Sequence, residues 1–191
     1  AQEIKTAGIA MPQLLMGGWA VHAVVAHGTE KQKQELAVPT LRGDVVWCQL
    51  FSEPGAGSDL AALGTRAVRE GDDWVLNGQK VWTSSAHLAR WAILIARTDP
   101  AVPKHQGITY FVCDMTDPGV EVRPLRQITG EAEFNEVFLT DVRIPDSRRL
   151  GAVGEGWRVA QTTLNNERVA IGGMRLPREA GLICPVANTG R

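Results

Sequence analysis

Between Val45 and Arg143 the apolar residues come in short runs rich in Val, Trp, Ile and Phe, bounded by Gly, Pro or Asn-Gly, with no helix-length insert between them. Runs of this kind read as β-strands. The spacing predicts strands at Val45 to Phe51, Thr65 to Glu70, Trp74 to Leu76, Gln79 to Ser84, Trp91 to Arg97, Ile108 to Cys113, Val120 to Leu125 and Phe134 to Arg143. Asn77-Gly78 predicts a hairpin, because a type I′ turn needs positive φ at both central positions. Several short strands at near-regular spacing argue for an antiparallel barrel or sandwich and against a doubly wound sheet.

Helical segments flank this region. Between Pro12 and Ala26 the residues Leu14, Leu15, Trp19, Val21, Val24 and Val25 fall at spacings that fit a mostly buried helix, weakened by Gly17 and Gly18 and stopped at His27-Gly28. Thr29-Glu30-Lys31-Gln32 has the pattern of a capping box and opens a second helix ending near Arg42-Gly43. After Pro145-Asp146 and the glycines at 151, 154 and 156, a helix begins near Glu155, with a stripe of Trp157, Ala160, Leu164 and Ile171 that runs to Gly172-Gly173. Beyond Met174 the two prolines and the lack of any period predict an irregular tail.

The charges nearly cancel, 20 Lys and Arg against 21 Asp and Glu, so a polybasic nucleic-acid or membrane binder is excluded. Cys48, Cys113 and Cys184 lie far apart and leave an odd thiol under any pairing, which predicts a reduced, cytoplasmic protein. The first residues start without Met and lack a basic start or cleavage pattern, so the reading is neither a signal peptide nor a span, with numbering that begins inside something longer or after processing.

Two stretches carry candidate chemistry. Phe51-Ser52-Glu53-Pro54-Gly55-Ala56-Gly57-Ser58-Asp59 follows a strand, and its glycines allow backbone N–H groups to converge on an anion such as a phosphate, with the Ser58 hydroxyl as a further donor. It is neither a P-loop nor the dinucleotide fingerprint; a plain Gly-rich turn is the alternative. Gln79-Lys80-Val81-Trp82-Thr83-Ser84-Ser85 ends a strand with an indole and a run of hydroxyls, which suits a planar polar heterocycle stacked on one side and hydrogen-bonded along its edge. A core Trp with strand-end serines is the alternative there.

Together these stretches resemble the acyl-CoA dehydrogenase family. WCQLFSEPGAGSDLA is similar to its first flavin-loop signature and LNGQKVWTSSAHLARW to its second, and GITYFVCDM, EFNEVFLTDVRIP and LNNERVAIGG continue in the same order, so that the resemblance covers about residues 10 to 173. It implies an α+β fold: an antiparallel β-barrel of the acyl-CoA dehydrogenase middle-domain type flanked by helical segments. Residues 1–43 would end an N-terminal helical domain, 44–150 form the FAD-binding barrel, 151–173 open a C-terminal helical domain and 174–191 form the tail. The implied activity is FAD-dependent dehydrogenation of an acyl-CoA thioester to a trans-2-enoyl-CoA, with an electron-transfer flavoprotein or similar acceptor and a homo-oligomeric full-length protein. A related flavin monooxygenase or nitroalkane-oxidase-like enzyme, or an inactive FAD-binding or β-barrel interaction fragment, are the competing readings.

Carried over by resemblance, Gln49, Phe51 and Ser52 fall where the family touches the isoalloxazine, Gly57 and Ser58 at the pyrophosphate loop, and Trp82, Thr83 and Ser84 in the segment that packs an indole on the flavin. Ser58, His105, Asn165 and Arg168 match positions on the acyl-CoA side, and no metal is implied. Glu167 falls where a minority of the family places its catalytic carboxylate; pairing with a nearby Arg on the helix surface is the alternative. The family's usual downstream base, and an Arg and Gln that reach a neighbouring subunit's flavin, are not recognisable in MRLPREAGLICPVANTGR.

Overall fold

The computed structural model describes residues 14–173. The start of the first predicted helix at Pro12, the tail after Met174 and Cys184 lie outside them. Helix α1 (Leu14–His27) is followed by a second helical stretch built from α2 (Glu30–Gln32), a π-turn (Lys33–Ala37) and α3 (Val38–Arg42). Thr29 and Gln32 form the capping box, with side chain and backbone bonded both ways, and Gly43 ends the stretch in the left-handed region at φ 80°.

Eight strands follow: β1 (Trp47–Leu50), β2 (Arg66–Glu70), β3 (Asp73–Ser84), β4 (Trp91–Arg97), β5 (Ile108–Asp114), β6 (Val120–Leu125), β7 (Phe134–Pro145) and β8 (Arg149–Leu150), before the last helix, α4 (Gly156–Gly173). They form one sheet in the order β6-β7-β3-β2-β4-β5-β8, with β1 on β4. The sheet is rolled but its ends do not meet, so it is an open relative of the barrel expected. Pairing is not wholly antiparallel either: β1 runs parallel to β4 over Trp47↔Trp91 to Leu50↔Leu94.

Asn77-Gly78 is not a hairpin turn. It lies inside β3, at a register shift against β7, where Asn77 Nδ2 donates to Asp141 Oδ1 at 2.9 Å and the Asp141 N–H returns a bond to Asn77 Oδ1 at 3.0 Å. The hairpin lies earlier, at the two-residue loop between Glu70 and Asp73, where Gly71 takes φ 62°.

Alternate residues of the strands serve two cores. Cys48, Leu50, Ala92, Leu94, Phe111, Cys113, Leu139 and Ile144 point into the roll. Trp47, Ile93, Ile95, Ile108, Tyr110 and Val112 point outward, where Ala20, Ala23 and Val24 of α1 and Val159 and Ala160 of α4 cover them. β4 and β5 are therefore buried on both faces, which explains their unbroken apolar runs.

Helix α4 seats directly on β5. A Cβ at Gly156 would lie 2.5 Å from the Thr109 carbonyl carbon, and Tyr110 Oη meets Thr163 Oγ1 at 2.9 Å. Gly156→Ala should lower the unfolding free energy by about 1–3 kcal/mol in urea titrations, because the backbone it meets cannot give way. Gly18→Ala on α1, where a Cβ meets nothing within 4 Å, should instead raise it by about 0.5–1 kcal/mol. A loss at both sites would remove the close-approach explanation.

Candidate functional site

The chain leaves β1 through Phe51 and Ser52 into a tight turn closed by Glu53 N–H to Ala56 O (2.9 Å) and Ala56 N–H to Glu53 O (3.1 Å). A Cβ at Gly55 or Gly57 would meet nothing within 4 Å, and neither has a positive φ. Neither glycine is needed for packing within the chain. What the glycines leave is an open backbone surface, with Gly57 and Ser58 exposed, that another molecule can approach closely.

Beneath this turn lies an ion pair that sequence reasoning missed. Lys80 is fully buried, and its Nζ donates to Glu53 Oε1 at 2.8 Å, Phe51 O at 3.1 Å and Ile95 O at 3.0 Å. Glu53 accepts further from the Thr65 N–H at 3.0 Å and the Gly64 N–H at 2.6 Å. Burial pulls the Lys80 ammonium down to about 8, against the opposing pull of Glu53. Burial pushes the Glu53 carboxyl up, but the Lys80 charge and the bonds from Lys80, Thr65 and Gly64 outweigh it and leave it below its ordinary value. No local signal marked Lys80, which stands in a strand segment of mixed polarity, Gln79 to Ser84.

The second stretch is locked to the first. The Val81 N–H donates to Ser52 O at 2.9 Å, so Ser52 and the start of the Trp82 segment are adjacent. The register of β3 against β7 shifts between Lys80 and Thr83, and at that bulge Trp82 adopts φ 59° and stands 63% exposed. Its indole and the Phe134 ring meet edge to face, at 6.0 Å between ring centres. A large aromatic in a left-handed conformation with its face in solvent is uncommon and marks a binding surface. Thr83 is buried with its Oγ1 unpartnered, its carbonyl taking the Asn135 amide at 2.9 Å. Ser84 lines a cavity of about 690 Å³ with Met16, Trp47, His87, Leu88 and Phe134.

A third loop is pinned beside the first. Arg97 donates to the carbonyls of Ala61 and Leu63 and to Lys104 O, and Lys104 Nζ bonds both carboxylate oxygens of Asp59 at 2.8 Å. Ser58 and His105 thus sit on loops joined by one ion pair. His105 is exposed, with its ring edge-on to Trp157 of α4 at 4.8 Å.

At the other end of α4, half-buried Glu167 accepts from Gln49 Nε2 on β1 at 3.4 Å. No ion pair between Glu167 and an Arg is present among the described residues. Asn165 and Arg168 are exposed on the same helix. The structure therefore brings Gln49 to Glu167 and Ser52 to Val81 beside Trp82, sets Ser84 near Trp47 at the start of β1, and joins the loops that carry Ser58 and His105.

An open glycine turn, a solvent-facing indole and buried unpartnered polar atoms on Gln49 and Thr83 suit a long ligand with an anionic middle and a flat heterocyclic end. Among the described residues there is no cluster of three or more possible metal ligands, and no helix long and apolar enough to cross a membrane.

Residues 48–142 match the family described as acyl-CoA dehydrogenase, middle domain, and the chain belongs to the acyl-CoA dehydrogenase family. It is 58% identical over 170 residues to acyl-CoA dehydrogenase FadE34 of Mycobacterium tuberculosis, covering 89% of this chain and 24% of that protein. A solved structure titled Tcur3481-Tcur3483 steroid ACAD superposes with TM-score 0.81 at 35% identity over 90% of this chain and 44% of the other. A glutaryl-CoA dehydrogenase from Mycobacterium smegmatis in complex with FADH2 gives TM-score 0.70 at 32% identity, over 80% of this chain and 38% of that one. The chain spans about a quarter of FadE34 and less than half of each solved relative.

Proposed function

We propose that this chain forms the flavin-binding core of an acyl-CoA dehydrogenase, in which an acyl-CoA thioester is oxidised between its α- and β-carbons to a trans-2-enoyl-CoA. The observation that carries the reading is the interlock of the two loops: Ser52 bonded to Val81, and Glu53 held by Lys80, support a ligand path shared by the glycine turn and the exposed Trp82 indole. FAD, when bound, would supply the acceptor for the hydride from the β-carbon.

In this reading Gln49, Phe51, Ser52, Trp82, Thr83 and Ser84 hold the ring system, and Gly57 and Ser58 the pyrophosphate. Ser58, His105, Asn165 and Arg168 bind on the acyl-CoA side. Glu167 removes the α-proton, because its carboxylate lies beside β1 rather than out in solvent. Residues 44–150 form the FAD-binding unit, 1–43 close an N-terminal helical domain and 151–173 open a C-terminal one. The full-length protein would assemble as a homo-oligomer and pass electrons to an electron-transfer flavoprotein or similar acceptor.

FAD titration of the purified chain, followed by flavin fluorescence, is expected to show saturable binding. Anaerobic addition of butyryl-CoA, octanoyl-CoA or a CoA thioester of a steroid side chain should then bleach the visible flavin absorbance for at least one of them. Absence of binding by a chain whose circular dichroism shows folded sheet would overturn the reading.

A further inference from the structure

We propose that Gln49 is a positioning residue for Glu167, holding the carboxylate toward the ligand site from the sheet side; this rests on Glu167 being the base. Gln49 is the one half-buried polar side chain of β1, set between Cys48 and Leu50, both fully buried, and fixed in register opposite Ile93. That strand is a rigid mount, whereas Glu167 lies near the end of α4, whose neighbours Asn165 and Arg168 are exposed. Among the described residues the Glu167 carboxylate has one hydrogen-bond partner, the Gln49 amide, Nε2 to Oε2 at 3.4 Å.

The amide's orientation follows from its partner. An ionised carboxylate only accepts, so it selects the N–H end of the amide and turns the carbonyl away. That carbonyl, Oε1, is buried and has no donor. A buried amide oxygen left unpaired is unfavourable, and the bond from the other end of the amide to Glu167 offsets part of that cost. Once Glu167 holds a proton it becomes a donor, and rotation of the amide by half a turn brings Oε1 to accept from it. One side chain can thus bond both protonation states of the base without moving its backbone.

Three variants of the full chain test this. Gln49→Glu sets two carboxylates face to face and should reduce the folding equilibrium constant, measured by urea unfolding without FAD, by about fivefold or more. The exchanged pair, Gln49→Glu with Glu167→Gln, restores one donor and one carboxylate and should recover most of that loss. Gln49→Met, read at saturating FAD because Gln49 also faces the ring system, should slow flavin reduction by acyl-CoA about tenfold to a hundredfold. Additive losses in the exchanged pair, or unchanged reduction by Gln49→Met, would overturn the proposal. Should Glu167→Gln itself reduce flavin at the normal rate, the base assignment fails, and the unfolding data still report separately whether the two residues are coupled.

Discussion

Lys80→Met is expected to lower the unfolding free energy by about 3–5 kcal/mol and to abolish FAD binding, the largest effect of any single change in the sheet. Methionine is close to lysine in volume, so the loss is not chiefly one of packing. It arises because Glu53, one-tenth exposed at its side chain, keeps its charge in a low-dielectric site with only the Gly64 and Thr65 N–H groups left to bond it. Phe51 O and Ile95 O each lose a donor as well. Removing both charges separates the contributions: Lys80→Met with Glu53→Gln should recover much of the stability, because the uncompensated carboxylate is gone. FAD affinity should remain weak in the double variant, because the Phe51 carbonyl next to Ser52 is no longer tethered. Recovery of full affinity there would show that the pair stabilises the sheet without shaping the loops.

The same pair fixes a pH dependence. Glu53 has a folded value below its ordinary 4.5, so the stability it contributes is present above that value and is lost as pH falls through the folded one. Lys80 is lowered from 10.5 to about 8. Between those values the unfolded chain holds the proton that the folded chain releases, so this group favours folding increasingly as pH rises across that window. The buried Cys48 and Cys113 thiols, raised by burial from 9.0, act in the opposite sense at the alkaline end. The quantity to measure is therefore the difference between wild type and Lys80→Met, which should widen between pH 8 and 10.5 in favour of wild type; a flat difference would place the Lys80 charge elsewhere than in the buried pair.

How much of this was legible before folding depends on which interactions are local. The capping box at Thr29 and Gln32, the β4 and β6 boundaries and the start of α4 are set by residues within one turn or strand of each other, and they match the sequence reading. Asn77-Gly78 was misleading because a bulge and a type I′ turn share the same chemistry. What decided between them was Asp141, more than sixty residues away, whose bonds to Asn77 keep β3 running. The parallel β1–β4 pair was hidden for a different reason. A crossover helix is the usual way to bring a strand back parallel, but here the β2–β3 hairpin and its flanking loops fill that interval. Lys80 was invisible as a structural residue because a lysine in a strand ordinarily faces water; only the fold reveals that three acceptors, two from the loop after β1 and one from β4, converge on it. Among the site residues, Trp82 and the glycine turn could be read directly, whereas the link from Gln49 to Glu167 joins residues 118 apart in sequence.

Glu167→Gln is expected to slow flavin reduction by acyl-CoA by about 10²–10⁴-fold, the range that a positioned general base supplies, while FAD affinity and the unfolding midpoint change little. The amide is nearly isosteric with the carboxylate, so α4 should keep its seat on β5 through Tyr110 and Thr163 and its contact with α1 through His27 and Thr162. Only the capacity to take the α-proton is removed. A structural role predicts the opposite pattern, with the midpoint falling and activity following it. Glu167→Asp discriminates further: it retains the carboxylate but withdraws it by one methylene from both Gln49 and the ligand, so part of the rate should remain and the loss should fall mainly in kcat rather than KM. Deuteration of the substrate α-carbon completes the test. If Glu167 removes that proton, the slowed reduction in the Asp variant should carry a full α-deuterium isotope effect, and a slowed reduction with no isotope effect would show that the substitution hinders a step other than proton removal.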